Sequence, residues 1–226
     1  MELSNYTMQA LKNFASINSN VVIHPGNTIM TMAEAKNVLG YTTVSESFPQ
    51  TFGIYDLQEM LNVLGLVDKP RVRFEDNYVL IGDSTGRVEI KYFFSDTEML
   101  TSPSKPIEMP EPDVSFTLDQ GTLNNLKRAA AALGHNEVSI TFVDNVIRLS
   151  ILDTENSTSN TYSIDVDGEC SLSECNFIIN ITNLKMIPGD YKVDISTKLI
   201  SQFTNTSEEL DLKYWVALEK SSTFKE

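Results

Sequence analysis

Residues able to do chemistry are few in this chain and poorly placed for catalysis. His24 stands before Pro25 and His135 after Gly134, both loop contexts in which an exposed, solitary imidazole is expected. Cys170 and Cys175 lie in CSLSEC with no second pair and no nearby His, a spacing that fits ordinary reduced thiols and neither a zinc site nor a redox CxxC. DVDGE at 165–169 begins like a calcium loop, but its Gly168 comes at the fourth position instead of the sixth and no Glu follows at the twelfth. No Walker A sequence, GxSxG, HExxH or GxGxxG occurs. No catalytic residue, metal or cofactor is therefore expected. The one enzymatic reading left open is a hydrolase using scattered carboxylates, which loss of activity on replacing a single carboxylate would mark.

The remaining chemistry is the attraction of cations for phosphate. Residues 122–133, TLNNLKRAAAAL, carry Lys127 and Arg128 with no acid among them, in a chain of 226 residues with 17 Lys+Arg, 31 Asp+Glu and a formal charge of −14. Leu123, Leu126, Ala130 and Leu133 recur at helical spacing and predict an inward face, leaving Gln120, Asn124, Lys127, Arg128 and Ala131 outside. A first helix near 5–17 behaves alike, with Leu11 and Phe14 inward and Asn5, Gln9, Lys12, Asn13 and Ser16 outward. Two shorter helices are predicted at 57–67 and 181–187. Lys12, Lys127, Arg128 and Lys185 against the single acid Glu59 give the four helices +3, so the rest of the chain holds −17. Solvated helix faces usually mix Glu with Lys, because such pairs at i,i+4 add a few tenths of a kcal/mol each. Two readings stand at this point: a solvent face that is basic by chance, or a basic, Asn/Gln-rich face that meets phosphates without reading bases.

The elements that must carry these faces fall into two similar halves. A length of 226 residues suits two domains of about 100 residues better than one. Four of the eight prolines, Pro103, Pro106, Pro110 and Pro112, crowd DTEMLTSPSKPIEMPEP at 96–112, which favours an extended linker. The predicted organisation is an N-terminal domain at 1–95, a connector at 96–112 and a C-terminal domain at 113–226. Both halves read as a helix, a set of strands, a short helix and closing strands, hence an α+β fold. TMQALKN at 7–13 aligns with TLNNLKR at 122–128, and Asp56 and Asn180 are each placed to cap the next helix. The N-terminus lacks the basic start and apolar run of a signal peptide, and nowhere do 18 apolar residues occur together, so a cytoplasmic protein without membrane contact is expected.

In NFIINITNLKMIPGDYK (176–192), GIYDL (53–57), SKPIEMP (104–110), YWVALE (214–219) and LKNFASINS (11–19) the sequence resembles the DNA polymerase sliding clamps of T-even-type bacteriophages, within the proliferating-cell-nuclear-antigen-like clamp superfamily. The resemblance covers essentially the whole chain. It implies the DNA-clamp fold: a head-to-tail homotrimer with two similar domains per subunit, helices lining the hole and antiparallel sheets outside. It implies that Lys12, Lys127, Arg128, Lys185, Gln9 and Asn124 face double-stranded DNA threaded through the ring. Glu59, on a second helix with no base, departs from a uniformly positive lining. Expected partners are a replicative DNA polymerase, an ATP-driven clamp loader and late-transcription factors, in the cytoplasm of the infected bacterial host. By analogy, partner peptides dock beside the connector on Met99, Leu100, Ile107, Met109, Val216 and Leu218, and the edge near Arg87 to Phe94 pairs with that near Thr161 to Val166 of the next subunit. The competing reading of another class is a DNA-free duplicated adaptor that recruits partners through its apolar linker.

Overall fold

The computed structural model describes residues 1–103 and 105–225; Ser104 of the connector and Glu226 lie outside the described residues. The chain forms two compact units, Met1–Pro106 and Ile107–Glu226. The first contains α1 (Asn5–Ala15), β1 (Val21–Ile23), β2 (Gly26–Met32), β3 (Val38–Phe48), β4 (Phe52–Ile54), α2 (Leu57–Leu64), β5 (Arg71–Phe74), β6 (Tyr78–Gly82) and β7 (Glu89–Phe93). The second contains β8 (Val114–Leu118), α3 (Gln120–Leu133), β9 (Glu137–Val143), β10 (Val146–Leu152), β11 (Tyr162–Val166), β12 (Gly168–Cys170), β13 (Glu174–Asn180), β14 (Tyr191–Ser196), β15 (Ile200–Asn205), β16 (Leu212–Ala217) and β17 (Thr223–Lys225).

The repeat read from the sequence is present in the topology. In the first unit β1 pairs with β4, the chain then makes α2, and β5-β6-β7 follow as an antiparallel meander. In the second unit β9 pairs with β13, the chain makes a single 3-10 turn at Ile181–Asn183, and β14-β15-β16 follow as an antiparallel meander. The second unit's sheets run β11-β10-β9-β13-β17 and β12-β8-β14-β15-β16.

Both long helices begin with the same device. The Ser4 hydroxyl accepts from the Thr7 amide, and the Asp119 carboxylate accepts from the Thr122 amide at 2.8 Å and from the Thr122 hydroxyl at 2.7 Å. Each satisfies an orphan donor of the first helical turn, which neither helix supplements with an acid inside that turn. The hydroxyl and amide of Thr122 hold Asp119 below the usual carboxylate range. Helix α3 ends where Gly134 enters the left-handed region at φ 71°, a conformation glycine adopts without steric cost, and its N–H donates to Ala130. The inward faces follow the spacing except at the end of α3: Ala10, Leu11 and Phe14 of α1 and Leu123, Leu126 and Ala130 of α3 are buried, whereas Leu133, expected inward, is only half-buried beside the Gly134 cap.

Three helix boundaries differ from the sequence reading. Helix α1 ends at Ala15, and α2 at Leu64, where Gly65 forms its C-cap. The helix expected over 181–187 is only the Ile181–Asn183 turn, capped by Asn180. Ile181, Thr182 and Asn183 are poor helix formers, and Pro188 biases its predecessor away from the helical region, so too few residues remain to nucleate an α-helix. Among the described residues no helix is long and apolar enough to cross a membrane.

One buried carboxylate ties α1 to its sheet. Glu46 of β3 accepts hydrogen bonds from the Ser4 amide and from the hydroxyls of Thr7 and Ser45, the latter two at 2.6 and 3.1 Å. Burial opposes its charge, but the Thr7 and Ser4 bonds prevail and hold its pKa below the ordinary value. A depressed folded-state pKa gives stability that is present above the unfolded-state pKa and lost as pH falls through the folded one. Glu46→Gln should therefore destabilise the protein at pH 7 by about 1–3 kcal/mol, with the deficit shrinking as the pH drops below about 4. Urea unfolding of both proteins at neutral and acidic pH checks this; a deficit constant with pH would contradict it.

Candidate nucleic-acid interface and partner surface

The residues singled out for phosphate contact are accessible. Gln9, Lys12, Asn124, Arg128 and Lys185 are exposed, and Lys127 is half-buried. Burial lowers the pKa of the Lys127 ammonium, because the charged form is partly removed from water. On α3 the exposed positions also include Asn125, Ala131 and Ala132, so this surface is amide, methyl and cation without a carboxylate. The absence of acid is not imposed by helix stability, since carboxylates near an N-terminus are favourable to a helix. The bases sit where local helix energetics would equally accept acids.

Helix α2 carries the exception, Glu59, and the structure gives it a partner that the sequence did not indicate. The Tyr92 hydroxyl on β7 donates to the Glu59 carboxylate at 2.9 Å and lies 3.3 Å from the Asp56 carbonyl. Burial first, and then the Glu59 hydrogen bond, raise the Tyr92 pKa, keeping the phenol protonated as donor. The only acid on these helices is thus engaged by a strand of its own unit. The rest of the outer surface of α2 is neutral, with Gln58 donating to Asn62 at 3.0 Å.

The connector begins as a fixed structure. Asp96 caps a 3-10 turn at Thr97–Met99, the Ser95 amide donates to Gly53 at 2.9 Å, and the Thr101 amide donates to the Asn20 side chain at 3.1 Å. An added Cβ at Gly53 would fall 2.8 Å from the Ser95 carbonyl oxygen as well as 2.7 Å from the Leu100 methyl, and because the backbone oxygen cannot swing aside, the position favours glycine. This pinning leaves Met99 82% exposed. In the second unit Ile107 is exposed and Met109 half-buried.

Val216 and Leu218 correct the expectation for the docking surface. Leu212, Tyr214, Val216 and Leu218 alternate along β16 and just beyond it, so all four point to one face, and that face is the core. Val216 is 0% exposed and can contribute nothing to a surface groove in the subunit. Trp215 is buried as well. Among the described residues no three His, Cys, Asp or Glu side chains gather in a way that could hold a metal ion.

Two units of this topology, each with antiparallel sheets and an acid-free helix face, define the clamp class of fold. Solved structures agree: the chain matches proliferating cell nuclear antigen from Thermococcus kodakaraensis at a TM-score of 0.71 and 12% identity, over 95% of this chain and 96% of that one. It matches the A. fulgidus form, solved with the C-terminal region of FEN-1, at 0.70 and 12%, over 98% of each chain. Residues 4–85 match the family model of DNA polymerase processivity factors, and 115–220 that of the gp45 sliding clamp, C terminal. Sliding clamps of Vibrio phage KVP40, Escherichia phage RB69 and Enterobacteria phage T4 are 31%, 29% and 32% identical, over 97%, 99% and 99% of this chain and 99% of each relative. The chain belongs to the phage sliding-clamp family of DNA polymerase processivity factors.

If the basic positions serve binding and not folding, their loss should leave stability intact. Lys12→Ala, Arg128→Ala and Lys185→Ala should each change unfolding free energy by no more than about 0.5 kcal/mol. Leu126→Ala, one position from Lys127 but fully inward, should cost about 2–5 kcal/mol. Denaturant titration of the four variants measures both.

Proposed function

We propose that three copies of this chain close head to tail around duplex DNA and tether a replicative polymerase to its template, with no catalysis of their own. The observation that carries this reading is the pair of acid-free helix faces, Gln9 and Lys12 on α1 and Asn124, Lys127 and Arg128 on α3, in a chain of net charge −14. A topologically closed ring needs no tight site. Phosphate contacts that ignore sequence and exchange freely hold the duplex centred without stalling it.

Edge chemistry supports closure. β7 and β11 are terminal strands of their sheets, and unpaired edges are aggregation hazards unless something covers them. Residues 87–94 carry Arg87 and Lys91 against Glu89, whereas 161–166 carry Asp165, paired with Arg148 of β10, and no base, with Asp167 just beyond. Opposite signs favour β7 of one copy against β11 of the next over either edge against itself. A heterologous contact of that kind closes into a ring when the rotation suits.

The connector is the proposed docking surface, with Met99 as the accessible anchor and Ile107 and Met109 as further apolar contacts. An ATP-driven loader would open the ring, since the chain has no nucleotide-binding motif. Late-transcription factors are a second class of partner for the same surface, and the setting is the host cytoplasm.

Light scattering behind a sizing column should give a mass near three times 25.3 kDa. Protein loaded on nicked circular DNA should be retained and should slide off once the circle is cut. A monomer at every concentration, with equal retention on circles and linear DNA, would overturn the ring. Replacing Lys12, Lys127, Arg128 and Lys185 by Glu should preserve the trimer mass while lowering processive synthesis by at least about tenfold. Met99→Asp should weaken polymerase capture by about tenfold with the trimer intact, and an unchanged affinity would move the docking surface elsewhere.

A further inference from the structure

Among the described residues Leu199 is the one aliphatic side chain on a left-handed backbone, at φ 60°. The other non-glycine residues with positive φ are Lys36, Lys69, Asp144 and Asn145. Asp and Asn tolerate that region through short polar side chains, and Lys36 and Lys69 are exposed. For leucine the same conformation crowds Cβ against the following carbonyl oxygen.

The turn accounts for the backbone but not for the leucine. Ser196 pairs with Ile200 across the β14–β15 hairpin, so Thr197, Lys198 and Leu199 form the loop, and the Leu199 amide donates to the Ser196 carbonyl at 3.0 Å. A loop of this length is built as a type I turn followed by a left-handed residue, a position suited to glycine. Glycine or asparagine would supply the backbone at lower steric cost, so what leucine adds is its side chain. Strain of this kind collects at sites where a side chain must be presented.

The surroundings hold the leucine in place next to the connector. The Asp113 carboxylate accepts from the Thr197 amide at 2.7 Å, and the Leu199 carbonyl accepts from the Leu218 amide at 3.0 Å. Leu218 is buried and Leu199 half-buried, so the apolar surface that Leu218 withholds is offered by its hydrogen-bonded neighbour. Met109 lies four residues before Asp113, hence within about 14 Å of it along the chain. Lys198, beside the leucine, and Lys220, two residues past Leu218, are exposed. In a chain of net charge −14 these cations favour a segment that carries a carboxylate next to its apolar residue.

We infer that Leu199 is an apolar anchor for the polymerase segment that docks on the connector, held in a strained turn so that its side chain meets an apolar residue of that segment while Lys198 meets a neighbouring carboxylate. The inference rests on the docking reading above and adds to it a residue that apolar patterning alone does not single out.

The test pairs surface plasmon resonance, with the cognate replicative polymerase passed over the immobilised full-length protein, with urea unfolding of the same variants. Leu199→Ala keeps a Cβ and with it the strain, whereas Leu199→Gly releases it. Both should raise the polymerase Kd about tenfold, Lys198→Glu should raise it about threefold, and Leu199→Met should stay within about twofold of wild type. Leu199→Gly should unfold at a urea midpoint no lower than wild type and above that of Leu199→Ala. A glycine variant less stable than wild type would mark Leu199 as a packing residue and overturn the anchor. Polymerase captured normally by Leu199→Gly but lost on Met99→Asp sinks the anchor alone. A wild-type chain that captures no polymerase sinks the docking reading and the anchor together.

Discussion

An acidic polypeptide that works against DNA must keep its carboxylates off one surface, and most features of this chain follow from that constraint. Attraction between separated charges is largely screened beyond about 8–10 Å at physiological salt, so what matters to a phosphate is the composition of the face it meets. With 31 acids among 226 residues, a face on α1 and another on α3 that carry none are a sorted distribution. The lone acid of α2 is an exception to this rule, since the Tyr92 hydroxyl orients the Glu59 carboxylate but leaves it exposed. The acids elsewhere disfavour binding on the wrong surface and keep the protein soluble.

Sorting charge requires helices held at a fixed rotation, and that is the task of the caps and the buried polar groups. Ser4 with Thr7 and Asp119 with Thr122 start the two helices in the same way, one repeat apart. Glu46 then clamps the start of α1 to β3 through Ser4 and Thr7. Because Leu11 and Phe14 are buried on one side, a rotation of α1 large enough to turn Lys12 inward would expose both. The apolar stripe thus determines where the bases point, and the hydrogen bonds fix where the stripe begins.

How much of this the sequence discloses depends on whether the deciding contact is local. Helix α3 is legible to the residue, because Asp119, the Leu123–Leu126–Ala130 spacing and Gly134 are all short-range signals. β15 is hidden, since its inward residues are Ser201, Phe203 and Asn205, and two polar positions of three erase the alternation that marks a strand. Ser201 tolerates burial because its hydroxyl donates to the Val216 carbonyl at 2.8 Å, a partner far away in sequence. The prolines announce the connector but not the turn at Thr97–Met99, which depends on Asn20 and Gly53. Val216 and Leu218 looked available because apolar character alone cannot tell a core face from a surface groove. The identities of the basic residues are readable from the sequence.

The difference between the repeats bears on how a ring can hold DNA and still move along it. If every helix face bound phosphates equally, six similar faces would present a dense set of contacts, and sliding would require many to break together. In a trimer of the proposed kind, the second units would carry Lys127, Arg128 and Lys185, whereas the first units would carry Lys12 on α1 and only Glu59 on α2, so attraction would be uneven around the ring. Fewer contacts per register lower both the affinity and the barrier between registers, because each phosphate contact contributes its own counterion-release increment. In such a ring encirclement would make low affinity tolerable, since retention would come from connectivity and not from binding energy. The replacement of a helix by the single turn Ile181–Asn183 in the second unit also leaves the two repeats with different surfaces, Glu59 on α2 in one and Lys185 just beyond the turn in the other.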